Sequence, residues 1–115
     1  MNASERRDNA RVSARFDVSC LHEGDYLISF SKDISADGMF VCTDTPIDIG
    51  SLIELYFKID DLKLAMDAKV VWVNSSGPEK DKGMGVKFIN LDSASRDNIL
   101  RAVNRVAILE QRMIN

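Results

Sequence analysis

The sequence contains few of the residues on which metal sites, disulfide frameworks and catalytic centres depend. Its 115 residues include one histidine and two cysteines, and Cys20 and Cys42 lack the close spacing of zinc ligands. Both fall in apolar segments typical of strands, so we expect buried, reduced thiols without a disulfide or a bound metal. No paired nucleophile and base and no phosphate-binding glycine loop stand out. We therefore expect a protein that is not an enzyme and needs no cofactor.

Long hydrophobic runs and a strong positive charge are absent as well. No apolar stretch approaches the roughly 20 residues of a transmembrane helix, and the start of the sequence is polar rather than signal-like. We expect a cytoplasmic protein without membrane insertion. A net charge of −3 argues against a general binder of nucleic acid polymers. A local anion site stays open, because four arginines lie close together near the amino terminus: Arg6, Arg7, Arg11 and Arg15.

What the sequence does contain is typical of one soluble globular domain, with 45% hydrophobic and 29% charged residues. Six short segments have the alternating polarity or the aromatic and β-branched content of strands, and turn-forming residues separate them. These segments lie at about 12–20, 26–30, 39–43, 52–59, 64–73 and 83–89. Their number and spacing predict an all-β barrel or sandwich. Trp72 stands between two valines, so we expect it in the core rather than at a binding surface.

The last part of the sequence changes to a helical period. Four apolar residues fall on one face of this helix: Ile99, Val103, Val106 and Met113. The sequence therefore predicts a flexible amino-terminal arm over residues 1–11, a β-barrel or sandwich over residues 12–92 and an amphipathic helix over residues 93–115.

Two motifs stand out together. Arg7-Asp8-Asn9-Ala10-Arg11 precedes the first strand, and Asp33-Ile34-Ser35-Ala36-Asp37-Gly38 lies between the second and the third. They match the patterns RxxxR and [DN]xSxxG, and with the six strands and the final helix the chain resembles the PilZ family over nearly its whole length. The resemblance implies a six-stranded antiparallel barrel with a carboxy-terminal helix. It also implies a receptor for the second messenger cyclic di-GMP.

The RxxxR pattern occurs three times, so its position has to decide which match counts. Arg15 alternates with core residues inside a predicted strand and should point outward, and Arg101 and Arg105 lie one turn apart on a helix face. Arg7 and Arg11 are therefore the favoured pair.

The resemblance implies a cyclic di-GMP site formed by Arg7, Arg11, Asp33, Ser35 and Gly38, and Arg6 is a further cation beside it. An arginine fork can pair with phosphate or with guanine and can stack on a ring. A carboxylate only accepts hydrogen bonds, so Asp33 should read guanine N–H groups. Ser35 offers a small hydroxyl, and Gly38 permits a turn with positive φ and a close approach of ligand to backbone. Arg6 favours a stacked pair of ligands.

Other interpretations remain. A solvated basic arm would explain the arginines singly, and a serine turn would explain the loop. A PilZ-like adaptor would act by protein contact without nucleotide. A small barrel that binds single-stranded nucleic acid would need a basic groove with exposed aromatic residues. For the receptor, we expect the bound state to be read in trans, by an effector protein or by a second copy in a homodimer.

Overall fold

The structure is a computed structural model that describes residues 11–59 and 61–114, with side chains described up to residue 108. Of the predicted arm over residues 1–11, only Arg11 falls within this range. The predicted site residues Arg6 and Arg7 lie outside the described residues.

Six antiparallel strands close into a barrel, and one long helix follows them. The strands are β1 (Val12–His22), β2 (Asp25–Ile34), β3 (Gly38–Cys42), β4 (Leu52–Ile59), β5 (Leu62–Asn74) and β6 (Gly83–Ile89), and the helix is α1 (Ser93–Ile114). Around the barrel the order is β1-β2-β3-β6-β5-β4, so β4 lies across the barrel from β3. The predicted six-stranded antiparallel barrel with a carboxy-terminal helix is confirmed.

The barrel interior is filled by the apolar residues that alternate along each strand. In β4 the buried residues are Ile53, Leu55, Phe57 and Ile59, and exposed residues stand between them. Successive side chains of a strand point to opposite faces, so this alternation places one apolar set inside. Cys20 and Cys42 are buried free thiols, and burial raises the pKa of Cys20 to about 12.

Helix α1 packs against the barrel core with the predicted apolar face, of which the Met113 side chain lies outside the described residues. Ile99, Val103 and Val106 are buried and join the barrel core, together with Ala102. The helix begins just after Asp92, whose carboxylate accepts a hydrogen bond from the backbone N–H of Ser95 at 2.7 Å. This bond satisfies one of the free N–H groups of the first turn and lowers the pKa of Asp92. Within the described residues, no helix is both long and apolar enough to cross a membrane.

Candidate functional site

A groove of about 670 Å³ lies on the outer surface of the barrel, along β3 and its neighbours. Its walls come from the residue just before β1, from the end of β2 with the connection to β3, from β3 itself and from β5 and β6. The polar and aromatic lining residues include Arg11, Lys32, Asp33, Asp37, Phe40, Trp72 and Lys87.

Strand irregularities direct these side chains into the groove. The pairing of β2 with β3 shifts by one residue between Ser31 and Asp33, and the pairing of β5 with β6 shifts between Val70 and Trp72. Such an extra residue changes which side chains face outward, because each strand otherwise alternates strictly. The β1–β2 ladder is irregular as well, close to Arg11. All three irregularities lie near the groove.

The carboxylate of Asp33 is held from two sides. Its Oδ1 accepts a hydrogen bond from the backbone N–H of Phe40 at 3.1 Å, and Nη1 of Arg11 lies 2.8 Å from the same oxygen. The Arg11 side chain is half exposed, and that of Asp33 is about one quarter exposed. The structure therefore joins the last arginine of the first motif to the first residue of the second motif.

A buried serine stabilises the β2 irregularity that turns Asp33 outward. The Ser31 hydroxyl lies 2.6 Å from the carbonyl oxygens of both Asp33 and Phe40, and it accepts a hydrogen bond from the Asp33 N–H at 3.3 Å. Ser31 is fully buried. Its hydroxyl therefore takes over bonding that the regular ladder loses at this position. Ser31 could not be predicted from the sequence, since a lone serine in a strand carries no signal.

Replacing Ser31 with alanine should lower the free energy of unfolding by about 1 to 3 kcal/mol, because buried backbone groups lose their partner. Chemical denaturation of the two proteins measures this difference. Ser76→Ala, in an exposed loop, is the matched control and should change stability by less than about 0.5 kcal/mol. Equal effects of the two substitutions would contradict the proposed role of Ser31.

The loop between β2 and β3 is closed by its own serine. The backbone N–H of Ser35 donates to the Gly38 carbonyl at 2.9 Å, and the Ser35 hydroxyl accepts from the N–H of Asp37 at 3.2 Å. Ser35 is buried and does not line the groove. Ser35 therefore forms a serine turn, which was the alternative interpretation of this loop from the sequence.

Gly38 lines the groove, but its role differs from the one expected. The positive-φ glycines of the described chain are Gly24, Gly50, Gly77 and Gly83, so the expected positive φ at Gly38 is wrong. A Cβ at Gly38 would lie 2.0 Å from the carbonyl oxygen of Val86. The glycine is therefore needed because β3 and β6 approach closely at this point.

Trp72 is not a core residue, and the expectation from its two flanking valines is wrong. Its side chain is 49% exposed and its ring stacks on Phe40, with 5.3 Å between ring centroids and 28° between planes. The one-residue shift after Val70 brings Trp72 to the outer surface. A Cβ at Gly85 would lie 2.0 Å from Nε1 of Trp72, so the ring lies directly over that glycine. A glycine inside a strand can mark such a close approach, so Gly85 was the signal in the sequence that an aromatic ring could lie over β6.

The groove thus combines an aromatic wall with charges of both signs. Phe40 and Trp72 form the wall, and Nζ of Lys32 lies 5.8 Å from the centre of the Phe40 ring. Lys87 adds a cation, and Asp33 and Asp37 add carboxylates. Such a surface can stack a planar ring, attract an anion and accept hydrogen bonds from a polar ring edge.

The family model of the PilZ domain matches residues 5–105 of the chain. The chain belongs to the PilZ family. Among curated proteins, no sequence matches the chain significantly.

Solved structures share the fold of this PilZ domain at low sequence identity. The PilZ domain with c-di-GMP of YcgR from Escherichia coli is 16% identical, with a TM-score of 0.76 over 95% of this chain and 97% of that one. The inhibitor of motility MotI/DgrA of Bacillus subtilis is 21% identical, with a TM-score of 0.73 over 90% of this chain and 51% of that one. MrkH of K. pneumonia in its apo state is 16% identical, with a TM-score of 0.75 over 91% of this chain and 52% of that one. This chain therefore spans about half the length of MotI/DgrA and MrkH.

The groove of this PilZ domain brings together Arg11, Asp33 and Gly38 of the predicted site residues. It does not include Arg15, whose guanidinium lies over the Phe30 ring, 3.8 Å from the ring centroid. Lys32, Phe40, Trp72 and Lys87 line the groove and were missed. Phe40 and Lys87 come from the regular pairing of β3 with β6, and the irregular pairing of β2 and β5 adds Lys32 and Trp72 to them.

Proposed function

We propose that this PilZ domain binds cyclic di-GMP in the groove and signals through ligand-dependent protein contacts. The observation that carries the proposal is the stacked pair Phe40–Trp72 beside the Arg11–Asp33 ion pair. A cyclic dinucleotide presents purine rings, guanine edges and two phosphates. The groove offers a chemical partner for each of them.

The two motif residues take different parts of the ligand. Arg11 is half exposed, so its guanidinium can turn from Asp33 to a phosphate or to guanine O6 and N7. Among the described residues, both donors to Asp33 use Oδ1, which leaves Oδ2 to accept from guanine N–H groups. Arg6 and Arg7 belong to the proposed site by their place in the sequence. Ser35 and Gly38 contribute by setting the shape of the loop that follows Asp33.

The aromatic pair supplies a stacking surface. Trp72 is half exposed and packs against Phe40 and the backbone of Gly85, so the exposed part of its ring is available to a base. Lys32 and Lys87 lie at the same groove and can attract the phosphates.

Isothermal titration calorimetry tests the proposal directly. Cyclic di-GMP should bind with a micromolar or lower dissociation constant, which corresponds to about −8 kcal/mol or better. GMP should bind far more weakly because it lacks the second base, and a single-stranded oligonucleotide should not compete. The same titration gives the stoichiometry, for which Arg6 predicts two stacked ligands. No heat at a hundredfold excess of ligand would instead support an adaptor that works without nucleotide.

Replacing Trp72 with alanine should weaken cyclic di-GMP binding by about 1 to 3 kcal/mol, which is the usual loss when a base loses its aromatic partner. Trp72→Phe should keep most of the affinity, because a ring remains. Tyr26→Ala is the control, since Tyr26 is an exposed aromatic residue outside the groove. Unchanged affinity of Trp72→Ala would remove stacking from the proposed mode of binding.

A further inference from the structure

The outer face of β1, β2 and β4 carries apolar side chains that nothing in the barrel covers. Ile28 is 76% exposed, Tyr26 is 61% exposed and Tyr56 is 39% exposed. The strand register places Ile28 beside Ser19, Ser19 beside Tyr56 and Tyr56 beside the exposed Ala65. We call Ile28, Ser19, Tyr56 and Ala65 the central row. It runs across four neighbouring strands, and an exposed apolar surface of this kind marks an interaction site.

Like charges face each other on both sides of the central row. Two residues after Tyr56 on β4, Lys58 lies directly opposite Lys63 of β5. Two residues before Tyr56, Glu54 lies directly opposite Asp67 of β5. All four side chains are exposed. Like charges directly opposite each other on neighbouring strands are destabilising. Within the part of the chain that the structure describes, none of the four forms an ion pair, and the exposed Asp17 of β1, which lines the same depression as Lys58 and Lys63, forms none with them either.

This charge pattern is complementary to itself. A two-fold axis in the plane of contact, running along the central row, reverses the strand direction in the second copy. Lys58 and Lys63 of each copy then face Glu54 and Asp67 of the other. Strand residues two positions apart are separated by about 7 Å, so both charge rows lie close beside the apolar centre. In the dimer, the two lysines of each copy lie opposite the two carboxylates of the other, which gives four pairs of opposite charge. Both copies use the same surface, as in the isologous interface of a symmetric dimer.

We propose that this face is the contact surface of a homodimer, with the central row of one copy packed against that of a second copy. Tyr56 lies at the middle, where its hydroxyl donates to Glu54 and orders a carboxylate of the acidic row. The contact is centred on Tyr56 of β4, across the barrel from β3, and it shares no residue with the candidate ligand groove. The proposal therefore stands independently of nucleotide binding. Because a barrel surface is convex, the contact is a narrow strip, and the dimer should dissociate in the micromolar range.

Sedimentation velocity over roughly 1 µM to 1 mM protein tests the proposal. The species should change with concentration from the single chain of 12.9 kDa to twice that mass. The dissociation constant should rise with salt concentration, since exposed charge pairs are screened. A monomer at every concentration would overturn the proposal.

Two charge-reversal variants make the test specific. Lys58→Glu with Lys63→Glu makes both rows negative, and Glu54→Lys with Asp67→Lys makes both rows positive. Each double variant should dimerise about tenfold more weakly than the unaltered protein, because like charges then meet at the contact.

An equal mixture of the two double variants should restore the dimer, because a copy with two negative rows matches a copy with two positive rows. Destabilised folding cannot produce such a rescue. The control is Arg96→Glu with Arg101→Glu, which changes the net charge equally at exposed positions of α1 and should leave dimerisation unchanged. Failure of the mixture to recover the affinity, or equal weakening by the control, would contradict the proposed contact.

Discussion

Replacing Arg11 with alanine should lower the affinity for cyclic di-GMP at least thirtyfold. Removing one partner of a desolvated charged contact costs roughly 2 to 5 kcal/mol, and 1.4 kcal/mol corresponds to a factor of ten. Arg11 is the described arginine that reaches both the groove and Asp33, at 2.8 Å. Its loss would remove the proposed ligand contact and leave the Asp33 carboxylate to repel the phosphates. Titration calorimetry of the two proteins measures the change.

The choice between the overlapping RxxxR matches supplies the control. Arg15 lies four residues after Arg11, on β1, but its guanidinium lies over the Phe30 ring and is not part of the groove. Arg15→Ala should therefore change the affinity less than threefold, which corresponds to a change in binding free energy of less than about 0.6 kcal/mol. Arg11→Lys keeps the charge but loses the planar fork, so it should recover only part of the affinity. If Arg15→Ala weakens binding more than Arg11→Ala, the site lies elsewhere on the barrel.

Replacing Gly38 with alanine should lower the free energy of unfolding by about 3 kcal/mol, at the upper end of the usual cost of overpacking. The added Cβ would lie 2.0 Å from the Val86 carbonyl oxygen, so β3 and β6 must separate where they are hydrogen bonded. We expect the midpoint of thermal unfolding to fall by about 10 °C. Circular dichroism during heating measures it.

Gly85→Ala distinguishes a backbone clash from a side-chain clash. Its Cβ would meet the Trp72 ring, which lies at the surface and can move. Truncation of Trp72 to alanine should therefore relieve the cost of Gly85→Ala. Truncation of Val86 to alanine should not relieve Gly38→Ala, because the clashing atom is a backbone oxygen. Relief in both double variants would show that the two strands are not rigid at Gly38.

The number of strands, the terminal helix and the place of both motifs could be predicted from the sequence because each depends on neighbouring residues. Alternation along β4 separates its buried residues from the exposed ones, and the helical period places Val103 and Val106 in the core. In β5, local alternation fails to predict which side chains face outward. Strict alternation from Leu64 to Val70 predicts an inward Trp72, and the one-residue shift in its pairing with β6 reverses that result.

The residues of the sequence alone therefore determined an all-β barrel or sandwich with a carboxy-terminal helix, and their motifs identified Arg11 and Asp33 as candidate ligand-binding residues. Only the tertiary structure decided that these two side chains meet, that Ser35 closes its own loop and that Phe40 and Trp72 form a wall. It also aligned the charges of β4 and β5 into like-signed rows. The physical reason is that alternation and motifs are local, whereas a bulge, a close backbone approach and a cross-strand pair depend on the register between distant strands.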